Sequence, residues 1–229
     1  AATWLVLLGL LINMGGQRGD SAGFGQGIAW WSYAFAQPPA ILHYLRLVFW
    51  PHPLVFDYGI NVVSHIPDVL LQAVLIGALL IGVVVAWFRR WMIGFAGVFF
   101  FAVLAPSSSV IPVNSQTMAE HRMYLAIAAA LVPVALGLCL IAGRRGLIAG
   151  LALAAAWGVT TFRRNDDYQS EGRIWHDTLV KQPSNPRAFD NYGLVLGNRQ
   201  QWTEAARIFT EALRLNPTSA PSRESLGAA

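Results

Sequence analysis

A chain of 229 residues that is 55% hydrophobic and only 12% charged, against about a quarter charged in ordinary soluble domains, has the make-up of a membrane protein. Its formal charge of +4 sits mostly in scattered arginine doublets, which lacks the groove-sized basic patch of a nucleic-acid binder and argues against nucleic acid as a partner. The single Cys139 rules out an internal disulfide.

Residues 1–14, "AATWLVLLGLLINM", are too few to cross about 30 Å of hydrocarbon, which takes roughly 20 helical residues; they are expected to be the tail of a longer span. Residues 15–68 form a loop crowded with Trp30, Trp31, Tyr33, Tyr44, Phe49, Trp50 and Tyr58, rings whose polar edges favour the headgroup layer. Within it Pro39 suits a first helical turn. Ile41, Leu42, Leu45, Val48 and Phe49 then make one apolar stripe with His43 and Arg46 off it, so a helix lying in the membrane surface is expected until Pro51 stops it. A buried packing helix is the alternative.

Four spans follow at about residues 69–88, 91–105, 124–142 and 146–162. Arg89 and Arg90 occupy one short turn and Arg144 and Arg145 another, separated by two spans, so both turns share a side, and their charge makes it cytoplasmic. The loops 15–68 and 106–123 and everything after residue 162 are thereby expected on the other side, although Arg163 and Arg164 pull against that orientation.

The last third is polar and periodic. From Pro186, "PRAFDNYGLVLGNRQQWTEAARIFTEALRLNP" resembles a tetratricopeptide repeat: Tyr192 and Gly193 fall at packing sites of a first helix, Trp202 opens a second, and Ala205, Phe209 and Ala212 line it before Pro217. Pro183 precedes Pro217, Trp175 precedes Phe209, and Tyr192 precedes Leu226, each by 34 residues, the period of that repeat. Residues 163–185 then read as a junction with a degenerate half repeat, 186–219 as a whole repeat, and 220–229 as the start of another. A repeat of this kind offers a groove for peptide, here through Arg187, Asp190, Leu194 and Asn198, unless those side chains are merely solvated.

Between Asp68 and Phe162 stand only six formally charged residues: the two arginine pairs, Glu120 and Arg122. Glu120, His121 and Arg122 sit in "MAEHRMYLA" at the start of a predicted span, where unpaired amide N–H groups and a guanidinium favour an anion such as phosphate. An interfacial salt bridge between Glu120 and Arg122 is the plainer reading. His43, His52, His65 and His121 lack the close spacing of zinc sites, so no metal and no cofactor is expected.

The stretches "ILHYLRLVFWPHPLVFDYG", "MAEHRMYLA" and "FRRNDDYQSEGRIWHDTLVKQPSNPRAFDNYG" resemble the transmembrane and tetratricopeptide-repeat O-mannosyltransferase family and its bacterial relatives. The resemblance implies an all-α chain, a polytopic bundle of the C-type membrane glycosyltransferase fold followed by an α-solenoid. It implies transfer of a sugar from a polyprenyl-phosphate carrier to an acceptor at the outer face, in a bacterial inner membrane, with the repeats binding the protein acceptor. The catalytic acid of such enzymes is expected upstream of these residues, which leaves the catalytic residue of this chain unassigned. Charge alone suggests Arg122 and His121 for the carrier phosphate, Arg46 as a second cation, and Asp57 and Glu120 as orienting groups. A membrane-anchored repeat scaffold without enzymatic activity is the competing expectation.

Overall fold

A computed structural model describes residues 28–60, 63, 67–106, 108, 112–113 and 116–228, with Gly9, Asn13 and residues 17–18 and 22–23. Residues 1–8, most of the expected first span, and His65 lie outside the described residues. Apart from a two-residue antiparallel ladder of β1 (Gln17–Arg18) with β2 (Ala22–Gly23), the regular structure is helical. Packing divides the chain into two units, Ala1–Trp50 with Ile60–Leu140, and Pro51–Gly59 with Ile141–Ala229.

In the first unit α1 runs over Trp30–Phe49, with Pro38 and Pro39 in its interior. The sequence suggested a start at Pro39, because each proline withholds an N–H from the ladder. Packing overrides that cost. Tyr33, Ala36, Ala40, Tyr44 and Val48 are buried at spacings of three and four residues, one face running straight past the prolines. The Gln37 side chain donates to the Tyr33 carbonyl at 3.0 Å, giving that stretch a bond that does not depend on a proline nitrogen. The buried stripe is therefore centred on Tyr44 and not on Leu42 and Leu45. Phe49, expected on it, is exposed, as are Trp30, Trp31 and Trp50.

Helices α2 (Pro67–Arg89) and α3 (Trp91–Leu104) fold back on one another around Arg90. A Cβ on Gly94 would lie 2.3 Å from the Trp87 backbone, and one on Gly97 would lie 2.4 Å from Val83; only hydrogen at these two positions lets the helices approach this closely. Ile76, Phe100 and Leu104 join α1 residues Ala40, Ile41, Tyr44 and Val48 in one core with Met123 and Ala126. A 3₁₀ turn, Glu120–Met123, leads into α4, Tyr124–Asp167. Helical geometry breaks once in α4, at Gly143 with φ 51°, beside the arginine pair where the sequence suggested a turn.

Among the described residues two helical stretches are long and apolar enough to cross a bilayer, Pro67–Arg89 and Glu120–Asp167. Helix α3 has 14 residues, about 21 Å at 1.5 Å per residue. The apolar side chains of these helices are largely exposed, among them Leu71, Ile81, Phe88, Leu140 and Ile141. An all-round apolar surface of this kind suits hydrocarbon as its solvent.

The second unit closes with α5 (Glu171–Lys181), α6 (Pro186–Asn198), α7 (Trp202–Leu215) and α8 (Ala220–Ala228), each packed on the next. Its starts are locally written. Ser170 caps α5 by accepting from the Arg173 N–H, and Asn185 caps α6 by accepting from the Arg187 N–H with Pro186 in the first turn, satisfying donors a helix start leaves open. Ala188, Ala205 and Ala212 are completely buried, small enough for α6 and α7 to close up. Leu196, Ile208 and Phe209 fill the seam, each worth about 1.5–3 kcal/mol of burial.

Candidate functional site

The charged triplet sits where the 3₁₀ turn meets the first unit's core. Arg122 is half-buried and donates from Nη2 to the Gln116 carbonyl at 2.7 Å and from Nη1 to the Thr117 carbonyl at 3.2 Å and the Tyr33 hydroxyl at 3.4 Å. Beside it the Ala119 N–H donates to the Tyr44 hydroxyl at 2.8 Å. Two phenols from α1 thus hold the residues just ahead of the turn. Burial pushes both phenols up from their ordinary value, with Arg122 and, for Tyr44, the Ala119 bond pulling back only in part, so both are neutral hydroxyls at physiological pH.

Both tyrosines are completely buried, a correction to the expectation that they sit in the headgroup layer with the tryptophans. Their roles were missed because nothing in a segment this rich in aromatic residues marks which hydroxyls find partners 75 and 89 residues away. His121 is exposed and Glu120 half-buried on the same turn. Arg46 belongs to the same unit, exposed in the last turn of α1. Among the described residues of this unit the buried Gln37 Oε1 and Ser108 Oγ have no hydrogen-bond partner. Both residues border one cleft of about 380 Å³ that Ile41, Ile76 and Leu104 also line.

Asp57 is elsewhere. The sequence grouped it with Arg122, but the segment 51–59, "PHPLVFDYG", packs in the second unit. There Asp57 is only 1% exposed and is ion-paired with Arg187. Its Oδ1 also accepts from the Gly59 N–H at 2.7 Å, while its carbonyl accepts from Asn185 Nδ2 at 3.1 Å. Asn185 therefore works with both ends of its amide, the oxygen capping α6 and the nitrogen holding the segment. Lys181 Nζ donates to the Leu54 carbonyl at 2.9 Å and pairs with Asp177. Phe56 sets its ring edge-to-face against Trp175 and Tyr168, at 5.1 and 5.9 Å. Gly59 has φ +69°, and a Cβ there would meet Asn185 at 2.9 Å, so both conformation and space require glycine.

Of the four positions expected to face a peptide, Arg187 is thus engaged by Asp57, and Asp190 accepts a hydrogen bond from Ser222 Oγ. Burial raises the Asp190 carboxyl above its ordinary value, with the Ser222 bond opposing. Leu194 and Asn198 are exposed. Asn185 and Lys181 were missed by the sequence reading. The Asn-Pro pair at 185–186 announces a cap, but nothing local announces the segment it also binds. Among the described residues no three His, Cys, Asp or Glu side chains come together as a metal site.

No protein-family model and no solved structure matches the chain. Over 129 residues, half of its length, it is 28% identical to the protein O-mannosyl-transferase Tmtc2 of Drosophila melanogaster. The matched stretch covers 13% of that protein, so the chain corresponds to a small part of it. Mostly helical, with two helices able to cross a bilayer, the chain bears a distant and partial likeness to a protein O-mannosyl-transferase.

Proposed function

We propose that the chain is part of a multi-pass membrane glycosyltransferase that takes a sugar from a polyprenyl-phosphate carrier, with a tetratricopeptide-repeat array on the non-cytoplasmic side for a protein acceptor. The observation that carries this reading is the likeness of half the chain to a protein O-mannosyl-transferase. The carrier phosphate goes to Arg122 with His121, at the head of α4, and Arg46 supplies a second cation of the same unit. Fixed positive groups lower a transfer barrier most where negative charge grows on the departing phosphate. Gln37 Oε1 and Ser108 Oγ, buried and unpartnered beside one cleft, suit a hydroxyl-bearing ligand, since a buried polar atom without a partner costs about 1–3 kcal/mol. We assign no catalytic base within this chain.

The repeat assignment is supported by the 34-residue spacing together with the seating of Gly193 against the Phe209 ring, 2.6 Å from where a Cβ would stand. One observation favours the second reading, a non-enzymatic scaffold: the guanidinium of Arg122 bonds two carbonyls and a tyrosine, as a purely structural arginine would. Arg122→Gln separates the two. Glutamine can still donate to a carbonyl, but it carries no charge. Sugar transfer from polyprenyl-phosphate-linked sugar, measured with the natural protein in its membrane, should fall at least tenfold in Arg122→Gln with insertion unchanged. Transfer at the wild-type rate would remove Arg122 from the phosphate site, and absence of transfer by the wild type with every donor sugar tried would favour the scaffold.

A further inference from the structure

The segment 51–59 has the contacts of a bound peptide. It has no helix or strand of its own, and the second unit holds it through both main chain and side chains. Lys181 and Asn185 take the carbonyls of Leu54 and Asp57, and Arg187 takes the Asp57 carboxylate. Trp175 and Tyr168 take the Phe56 ring. Peptide-binding surfaces divide labour in this way: main-chain bonds give affinity and side-chain sites give specificity. Val55 and Tyr58 between and beside these anchors are buried as well, at 2% and 4% exposure. The segment enters from Trp50 and leaves through Ile60, both belonging to the first unit. The segment itself packs with the second unit.

We propose that the surface formed by Tyr168, Trp175, Lys181, Asn185 and Arg187 is a peptide-binding site for extended segments of the form aromatic–Asp–aromatic–Gly, with Pro51–Gly59 as its resident ligand. The site is independent of the glycosyltransferase reading. Because the resident is covalently attached, it is presented at about millimolar effective concentration. A free copy at about 10 µM therefore holds about one hundredth of the sites against a resident of equal affinity presented at about millimolar concentration. The wild type should look almost inert toward free peptide.

The test uses the full chain in detergent and a fluorescein-labelled synthetic peptide with the sequence PHPLVFDYG. Three chains are compared: wild type, a chain with residues 54–58 replaced by Gly-Ser-Gly-Ser-Gly, and Asp57→Asn. The replaced chain should bind the peptide saturably and more tightly than wild type by about the ratio of the millimolar effective concentration to the peptide's Kd, about a hundredfold for a Kd of about 10 µM. A peptide with asparagine for aspartate should bind it about fivefold more weakly, and Arg187→Met in the replaced chain should erase that difference. If the replaced chain retains its helical circular dichroism and yet binds no peptide, or binds both peptides alike, the proposal is overturned. Should the replaced chain fail to fold, Asp57→Asn decides: its weakened resident should admit the aspartate peptide more readily than wild type does, and equal binding to the two chains overturns the proposal.

Discussion

Arg187→Met should loosen the second unit more than Asp57→Asn, although the two changes break the same ion pair. The reason is unequal burial: the Asp57 side chain is 1% exposed and that of Arg187 37%. Removing the guanidinium strands a carboxylate inside the protein, and breaking a buried pair from one side costs about 3–5 kcal/mol. The lower end applies, because the Gly59 N–H still donates to Asp57 at 2.7 Å. Removing the charge from Asp57 leaves an arginine whose side chain is 37% exposed although its Nη2 is buried, and keeps an amide oxygen for Gly59, which puts that loss near the roughly 1 kcal/mol of a partly solvated pair. The double variant, with neither charge, should recover roughly 2 kcal/mol relative to Arg187→Met alone. Amide exchange of residues 51–59 and 182–190, read by mass spectrometry, resolves this: about 3 kcal/mol is roughly a 150-fold loss of protection and about 1 kcal/mol roughly fivefold. Equal losses, or a larger one for Asp57→Asn, would refute the assignment of Asp57 as the buried member.

In the first unit, Tyr44→Phe should cost about 1–3 kcal/mol by orphaning the buried Ala119 N–H, whereas Tyr33→Phe, losing a 3.4 Å contact with an arginine that keeps two carbonyls, should cost less; thermal unfolding in detergent orders the two. Between α6 and α7, Gly193→Ala would press a methyl to 2.6 Å from Phe209, while Gly197→Ala meets nothing nearer than Trp202 at 3.5 Å. The helix-propensity gain of up to about 1 kcal/mol is common to both, so Gly193→Ala should be the less stable by the overpacking alone, about 1–3 kcal/mol, seen as faster exchange in α6 and α7. Two half-buried acids, Asp177 and Asp190, respond to pH with opposite sign. Burial pushes Asp177 up, but bonds from Lys181 and Arg164 outweigh it and hold the carboxyl below its ordinary value. Its contribution is therefore present above that ordinary value and lost as pH falls through the lower folded one. Asp190 is held above its ordinary value, so it stabilises fully only below that value and the contribution is lost as pH rises through the folded one. Asp190→Asn, which can still accept from Ser222, should then raise the protection of α6 and α8 at neutral pH and leave it unchanged in acid.

Local rules made much of the helical plan readable. Pro51 ends α1, arginine pairs mark the break before α3 and the one at Gly143, and Asn185-Pro186 opens α6, because caps and breakers act within a turn of themselves. The start of α1 was misread for the converse reason. Two adjacent prolines are a strong local signal, and the face that overrides them, from Tyr33 to Val48, exists only once α2, α3 and the 3₁₀ turn are packed on it. Charge drew attention to Arg122, but its partner Tyr33, and Tyr44 that accepts from Ala119 beside it, lie on another helix. Asp57 is the clearest case. Its partner stands 130 residues away in sequence, and no periodicity connects a loop to a helix cap at that distance.

The central proposal is that the first unit holds a lipid-linked phosphate at Arg122. Titration of the chain in lipid nanodiscs with a short polyprenyl monophosphate, and in parallel with the corresponding uncharged polyprenol, measures this directly. The phosphate should bind at least tenfold more tightly than the alcohol, and Arg122→Gln should remove about ten- to hundredfold of that preference, the 1.5–3 kcal/mol of a charge-assisted bond. Equal binding of phosphate and alcohol by the wild type, or a preference untouched in Arg122→Gln, would contradict it.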